Sequence, residues 1–218
     1  MDIRIRASKP LIAIPALLLA ASAAAQESPW IVRGLVSYLA TADGDTAVVL
    51  SQPEETFRQS VDDGASLGFS VEYLWRDRLG IEAAAFLSSH DVEMVLSNDL
   101  GTFSATDSTR FRLFTFGANY HFESEGRVRW SAGGFVPLLF ADGTDHVFPG
   151  LGRTEARAYD QDYGLGVKAG LEWSFTPDSP WTLTVEGRYM FLLLMESETV
   201  GDIDVDPAVL TVGLGYRF

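Results

Sequence analysis

Cysteine is absent from the chain, which excludes a disulfide framework and thiolate chemistry. Long apolar runs are missing as well. Beyond residue 25 the densest is Leu192 to Met195, between Tyr189 and Glu196, far short of the roughly 20 residues that a membrane-spanning helix needs. Positive charge is scarce: 16 basic residues stand against 30 acidic ones, a formal net charge of -14. With no basic patch to neutralise phosphates, nucleic acid is excluded as a partner. Histidines number three, His90, His121 and His146, too scattered for a metal site. His90-Asp91 resembles a base with its orienting carboxylate, but no nucleophile is fixed beside it, so it reads as a solvated loop pair. Asp202, Asp204 and Asp206 have part of the spacing of a calcium loop. The glycine at the sixth position and the later glutamate are missing, which leaves an acidic loop or a loose divalent-ion contact. No catalytic group, cofactor or metal is expected. Linkers, low-complexity tracts and solenoid repeats are also lacking.

What is present begins with an export signal. Arg4, Arg6 and Lys9 are followed by the apolar Leu11 to Leu19 and by Ala23-Ala24-Ala25, the pattern of a cleavable signal peptide over residues 1–25. Residues 26–218 then form one domain. The most informative stretch is the last. Ala208, Leu210, Val212, Leu214, Tyr216 and Phe218 share one face of an extended strand, and Val209, Thr211, Gly213, Gly215 and Arg217 share the other. Such a period of two is the mark of a β-strand.

Seven further segments alternate in the same way. They run around Trp30–Leu39, Ser66–Trp75, Ile81–Leu87, Leu113–Phe122, Val128–Phe140, Tyr163–Phe175 and Thr182–Leu193. The links after the second, fourth and sixth are tight turns, at Arg76-Asp77-Arg78, Ser124-Glu125-Gly126 and Thr176-Pro177-Asp178. Those after the first, third, fifth and seventh are long and acidic. Short periplasmic turns with long outer loops belong to transmembrane barrels. The expected fold is therefore all-β, an eight-stranded antiparallel transmembrane β-barrel integral to the bacterial outer membrane. A soluble lipocalin-like barrel also has eight alternating strands. Its exterior would be the mixed face, which here carries too little charge for contact with water. Aromatics near strand ends, among them Trp30, Tyr73, Trp75, Trp130, Trp173, Trp181 and Tyr216, fit interfacial girdles instead. Outer-membrane lipid and lipopolysaccharide are then the surroundings.

Inward residues sort by depth. Toward the periplasmic ends lie Arg33, Glu72, Glu82, Arg129, Lys168, Glu172, Glu186, Arg188 and Arg217. In a narrow lumen these must pair, which predicts a salt-bridged floor. Toward the outside lie Leu35, Leu39, Phe86, Leu113, Phe135, Leu139, Met190, Leu192, Leu194 and Val209. An apolar half above a charged floor is either a pocket for a small hydrophobic solute or a dry packed core; eight strands allow both.

The chain resembles the outer membrane protein W (OmpW) family of small porin-like barrels. The resemblance rests on Trp30-Ile31-Val32-Arg33, on Tyr163-Gly164-Leu165-Gly166-Val167-Lys168-Ala169-Gly170, and on Trp181-Thr182-Leu183-Thr184-Val185-Glu186-Gly187-Arg188-Tyr189. It also rests on Val205-Asp206-Pro207 followed by Val212-Gly213-Leu214-Gly215-Tyr216-Arg217-Phe218. The unusually acidic first loop, Thr41 to Asp63, departs from it. The resemblance implies an eight-stranded barrel that passes small, often hydrophobic, molecules across the outer membrane. It also implies that the terminal Phe218 is read by the outer-membrane insertion machinery. Two other functions stay open: a structural or adhesive barrel acting through Asp43, Asp45, Glu54, Glu55, Asp62 and Asp63, and a lipid enzyme, for which the few histidines give little support. On the conduit reading, Gly133 and Pro137 of the fifth strand are where the wall is expected to weaken.

Overall fold

A computed structural model describes residues 29–40, 46–49, 56–98, 101–122, 126–141, 145–147, 154–156, 162–177, 179–192 and 207–218. The proposed signal peptide, Leu194 and the acidic residues 202–206 lie outside them. The described elements are β1 (Trp30–Ala40), β2 (Thr46–Val49), β3 (Thr56–Val61), β4 (Gly64–Trp75), β5 (Leu79–Asn98) and β6 (Gly101–His121). They continue with β7 (Val128–Ala141), β8 (Asp145–Val147), β9 (Thr154–Ala156), β10 (Asp162–Ser174), β11 (Trp181–Leu192) and β12 (Ala208–Arg217).

Eight of these strands close a barrel. Each of β1, β4, β5, β6, β7, β10, β11 and β12 pairs antiparallel with the next, and β12 returns to β1 from Ile31↔Arg217 to Ala40↔Ala208. They are the eight alternating segments of the sequence. The apolar face points outward: Leu67 and Ile81 are each 67% exposed, as a lipid-facing wall requires and a soluble barrel could not tolerate. Inward positions are buried, Glu72 fully. At the short-turn rim the aromatics pack edge to face. Trp30 meets Tyr73 at 5.0 Å, Trp181 meets Tyr216 at 4.9 Å, and Tyr216 meets Phe218 at 4.8 Å. The β4–β5 turn is tight because Arg76 and Asp77 both take positive φ, 53° and 56°, an arrangement whose twist suits a hairpin.

One outer link differs from expectation. The stretch after the third segment is not a long loop: β5 and β6 stay paired from Leu79↔Tyr120 to Asn98↔Gly101, so the hairpin runs on past the barrel. On its far edge β3 pairs with β5 (Thr56↔Ser97 to Val61↔Val92), and β2 pairs with β3. Part of the first link is thus sheet as well. Thr and Val suit a pleated surface, and they carry strand structure through charges that suggest a loop when read alone.

Candidate functional site

The lumen is built by the inward residues of eight strands, and their chemistry changes with depth. In the half nearer the short turns, Arg33 of β1 is the hub. Its Nη2 lies 2.7 Å from Glu72 Oε2 of β4 and 2.9 Å from Glu172 Oε2 of β10, and its Nη1 lies 3.5 Å from Glu82 Oε2 of β5. Arg129 of β7 holds the other oxygen of Glu172 at 2.8 Å. Lys168 bridges Glu82 at 2.7 Å and Glu186 at 3.2 Å. Arg188 contacts Glu82 at 3.0 Å and pairs through Nε with Glu186. Four carboxylates therefore meet four cations. That balance is what a narrow, poorly hydrated lumen demands, because an unpaired buried charge is heavily penalised.

Asn119, His121 and Thr115 complete the network. Asn119 Nδ2 donates to Glu72 Oε1 at 2.7 Å, and His121 Nε2 sits 2.8 Å from the same oxygen. Arg188 Nη1 donates to Thr115 Oγ1 at 3.1 Å. Asn119 and Thr115 carry no charge to single them out in the sequence; their only signal there is that they share the inward face of the fourth segment. The room left among these side chains is about 10 Å³, enough for about one water. Arg217 lies outside the network. It pairs with Asp77 at the rim, 3.0 Å away, where the Asp77 side chain is 85% exposed.

Directly beyond the charges, Leu35, Phe86, Leu113, Phe135 and Met190 join Ala84 and Val209 in one buried apolar cluster, with Leu39 and Leu139 packed against it. The two layers touch. The Arg188 guanidinium carbon lies 5.0 Å from the Phe86 ring centre and 5.6 Å from that of Phe135, within cation–π range. Gly166 allows the Phe135 ring to lie on the wall, since a Cβ there would overlap it. The Leu192 backbone pairs with Gly164; its side chain, like all of Leu194, falls outside the described residues.

His90 departs from the expected solvated pair. It is buried inside the outer rim, with Nδ1 2.9 Å from Asp62 O and its ring edge-on to Phe111 at 5.1 Å. Asp91 is exposed. Among the described residues no group of histidines and carboxylates is arranged to hold a metal.

Among the described residues the wall has one irregular seam. The β7–β10 register runs from Trp173↔Val128 to Gly166↔Phe135, breaks opposite Val136 and Pro137, and resumes at Tyr163↔Leu138. Proline has no N–H to give to a ladder. Gly133 keeps its partners on both sides, Asn119 and Lys168, so the break belongs to Pro137 and not to Gly133.

Residues 11–218 match the family described as outer membrane protein beta-barrel domain. Among solved structures the chain is similar to the outer membrane protein OprG from Pseudomonas aeruginosa, with TM-score 0.67 and 18% identity over 88% of this chain and 96% of that one. It is similar to the outer membrane protein AlkL in DMPC lipid bilayers, with TM-score 0.57 and 16% identity over 100% and 97% of the two chains. A third similarity is to Ail, the attachment invasion locus protein of Yersinia pestis, in complex with the heparin analogue sucrose octasulfate. There the TM-score is 0.50 and the identity 13% over 88% and 100% of the chains. At such identities the likeness is one of fold. No curated protein sequence matches the chain.

Proposed function

The chain belongs to the outer membrane protein beta-barrel domain family, and from that membership we propose that it passes small hydrophobic molecules across the outer membrane, as a barrel of the OmpW kind. It is an integral outer-membrane barrel. A solute enters from the outside along the apolar inward residues, with Leu39 and Leu139 ahead of Phe86, Leu113, Phe135 and Met190. It cannot continue straight to the periplasm, because the salt-bridged layer leaves about 10 Å³. It leaves sideways into the bilayer at the seam beside Pro137. The observation that carries this reading is the order of layers along the lumen: apolar above, charged and closed below, with the broken ladder in the adjoining wall.

Phe218, packed on Tyr216 at 4.8 Å and hydrogen-bonded through its N–H to Trp30 O at 3.0 Å, serves as the insertion signal. Residues 1–25 serve as the export signal.

A second reading has its own support. The sheet continues past the barrel through β2, β3, β5 and β6, a platform that suits a structural or adhesive role with the lumen sealed. The similar Ail is by name an attachment protein. Nuclear Overhauser contacts in the refolded protein separate the two readings, with an aromatic hydrocarbon as solute. The conduit gives saturable contacts to the Met190 methyl and the Leu113 methyls. Contacts confined to outward residues such as Leu214 would leave the sealed barrel as the function.

A further inference from the structure

We infer that Phe135 is the latch of the side exit: its ring closes the seam from the lumen side and so limits the girth of the solute that leaves. This latch rests on the conduit reading and adds to it the residue that selects by size. Phe135↔Gly166 is the last rung of the β7–β10 ladder before the break, and the next rung stands only at Leu138↔Tyr163. On their other sides both strands are held. Val136, Pro137 and Leu138 keep Phe116, Thr115 and Phe114 of β6, and Gly164 and Leu165 keep Leu192 and Phe191 of β11. Strands that part at the seam therefore part only from each other.

The inner surface of β10 is thin at this point. Gly164 and Gly166 hold its inward, buried positions beside the break, so the strand presents backbone to the lumen there. The Phe135 side chain covers it. Its ring reaches from β7 across the strand boundary, since the atoms that a Cβ on Gly166 would overlap are the far ones, Cζ, Cε1 and Cε2.

On its other side the ring meets the floor. The Arg188 guanidinium carbon lies 5.6 Å from the ring centre, and hydrogen bonds to Glu82, Glu186 and Thr115 fix that guanidinium. Cation–π attraction and close packing hold the ring between a fixed cation and a glycine seat. Neither contact is covalent, and a phenyl side chain turns between staggered wells about χ1. A slim solute leaves at the break with the ring in place; a broader one needs it to swing off Gly166.

The test compares cells that make wild type or Phe135→Ala, matched for heat-modifiable barrel in the outer membrane. Initial uptake rates are measured for a single-ring and for a fused polycyclic hydrocarbon. The ratio of polycyclic to single-ring uptake should rise severalfold in Phe135→Ala. Phe135→Leu, apolar but too short to reach Gly166, should shift the ratio the same way and carries the test where Phe135→Ala leaves too little folded barrel. In lipid nanodiscs, nuclear Overhauser contacts from acyl chains to the methyl of Met190, the β11 partner of Gly166, should be absent in wild type and appear in the variant. An unchanged ratio beside wild-type uptake faster than in cells without the protein overturns the latch alone, as do lipid contacts at Met190 that are equal in both proteins. Wild-type uptake no faster than in cells without the protein overturns the conduit, and the size limit with it.

Discussion

The residues that decide most about this lumen are charged and buried, with room for about one water among them. Arg33 touches three carboxylates, all buried. Replacing it by methionine takes away the arginine partner of Glu72 and leaves Glu172 with Arg129 alone, and breaking a buried pair from one side costs about 3–5 kcal/mol. Urea unfolding of the refolded Arg33→Met barrel in micelles should show a loss of that size. Arg217→Gln should cost about 1 kcal/mol or less in the same assay, because its partner Asp77 is exposed at the rim and exposed pairs contribute little. The charges of the floor were legible in the sequence because the period of two assigns each to a face, and a face that opposes lipid must point inward. Depth was less legible. Arg217 shares its face with Thr211 and Gly213, but nothing in an alternating pattern states that the last residue of a strand has already reached the mouth. Burial of His90 was hidden for a related reason: its ring fits only because Gly64, distant in sequence, lies under it.

Strands are where sequence and structure agree best, and the exceptions are physical. All eight wall strands follow from alternation, since one face meets lipid along its whole length. The β5–β6 extension meets no lipid, so its outer residues show no apolar face, and Asp91, Glu93 and Asp107 suggest a loop. Backbone pairing, which a sequence shows only indirectly, makes it sheet. Two measurements belong to this scale. Leu214 faces lipid in β12 and is 47% exposed; Leu214→Arg should destabilise the barrel by roughly 2–4 kcal/mol if it sits near the midplane, and Val185→Arg by a similar amount. Equal stability of both variants in lipid vesicles would place these side chains outside the bilayer. The second measurement is amide exchange along β10. Gly164 and Leu165 stand opposite the break at Pro137, whereas Gly170 and Leu171 are paired with Ser131 and Trp130. Whichever amide of the first pair points at β7 should exchange faster than its counterpart in the second, because open ladders are the low-stability end of a sheet. Uniform protection would mean the wall is closed there.

For the molecule as a whole, closure of β12 onto β1 ties assembly to the C-terminal strand. Deleting Phe218 should lower the amount of heat-modifiable barrel in outer-membrane fractions far more than the exposed-surface change Asp62→Asn does; equal amounts would remove Phe218 as the insertion signal. At this scale the proposed function rests on the order of the lumen, charged toward the short turns and apolar beyond them. Uptake tests it most directly. Cells that make wild type or Met190→Glu, matched for heat-modifiable barrel in the outer membrane, are compared for the initial rate at which they take up an aromatic hydrocarbon. Met190 lies in the buried apolar cluster, where an added carboxylate would make the path polar. The expected result is uptake reduced to the level of cells without the protein. Uptake of Met190→Glu equal to wild type would contradict passage through the lumen and leave the sealed, surface-acting barrel in its place.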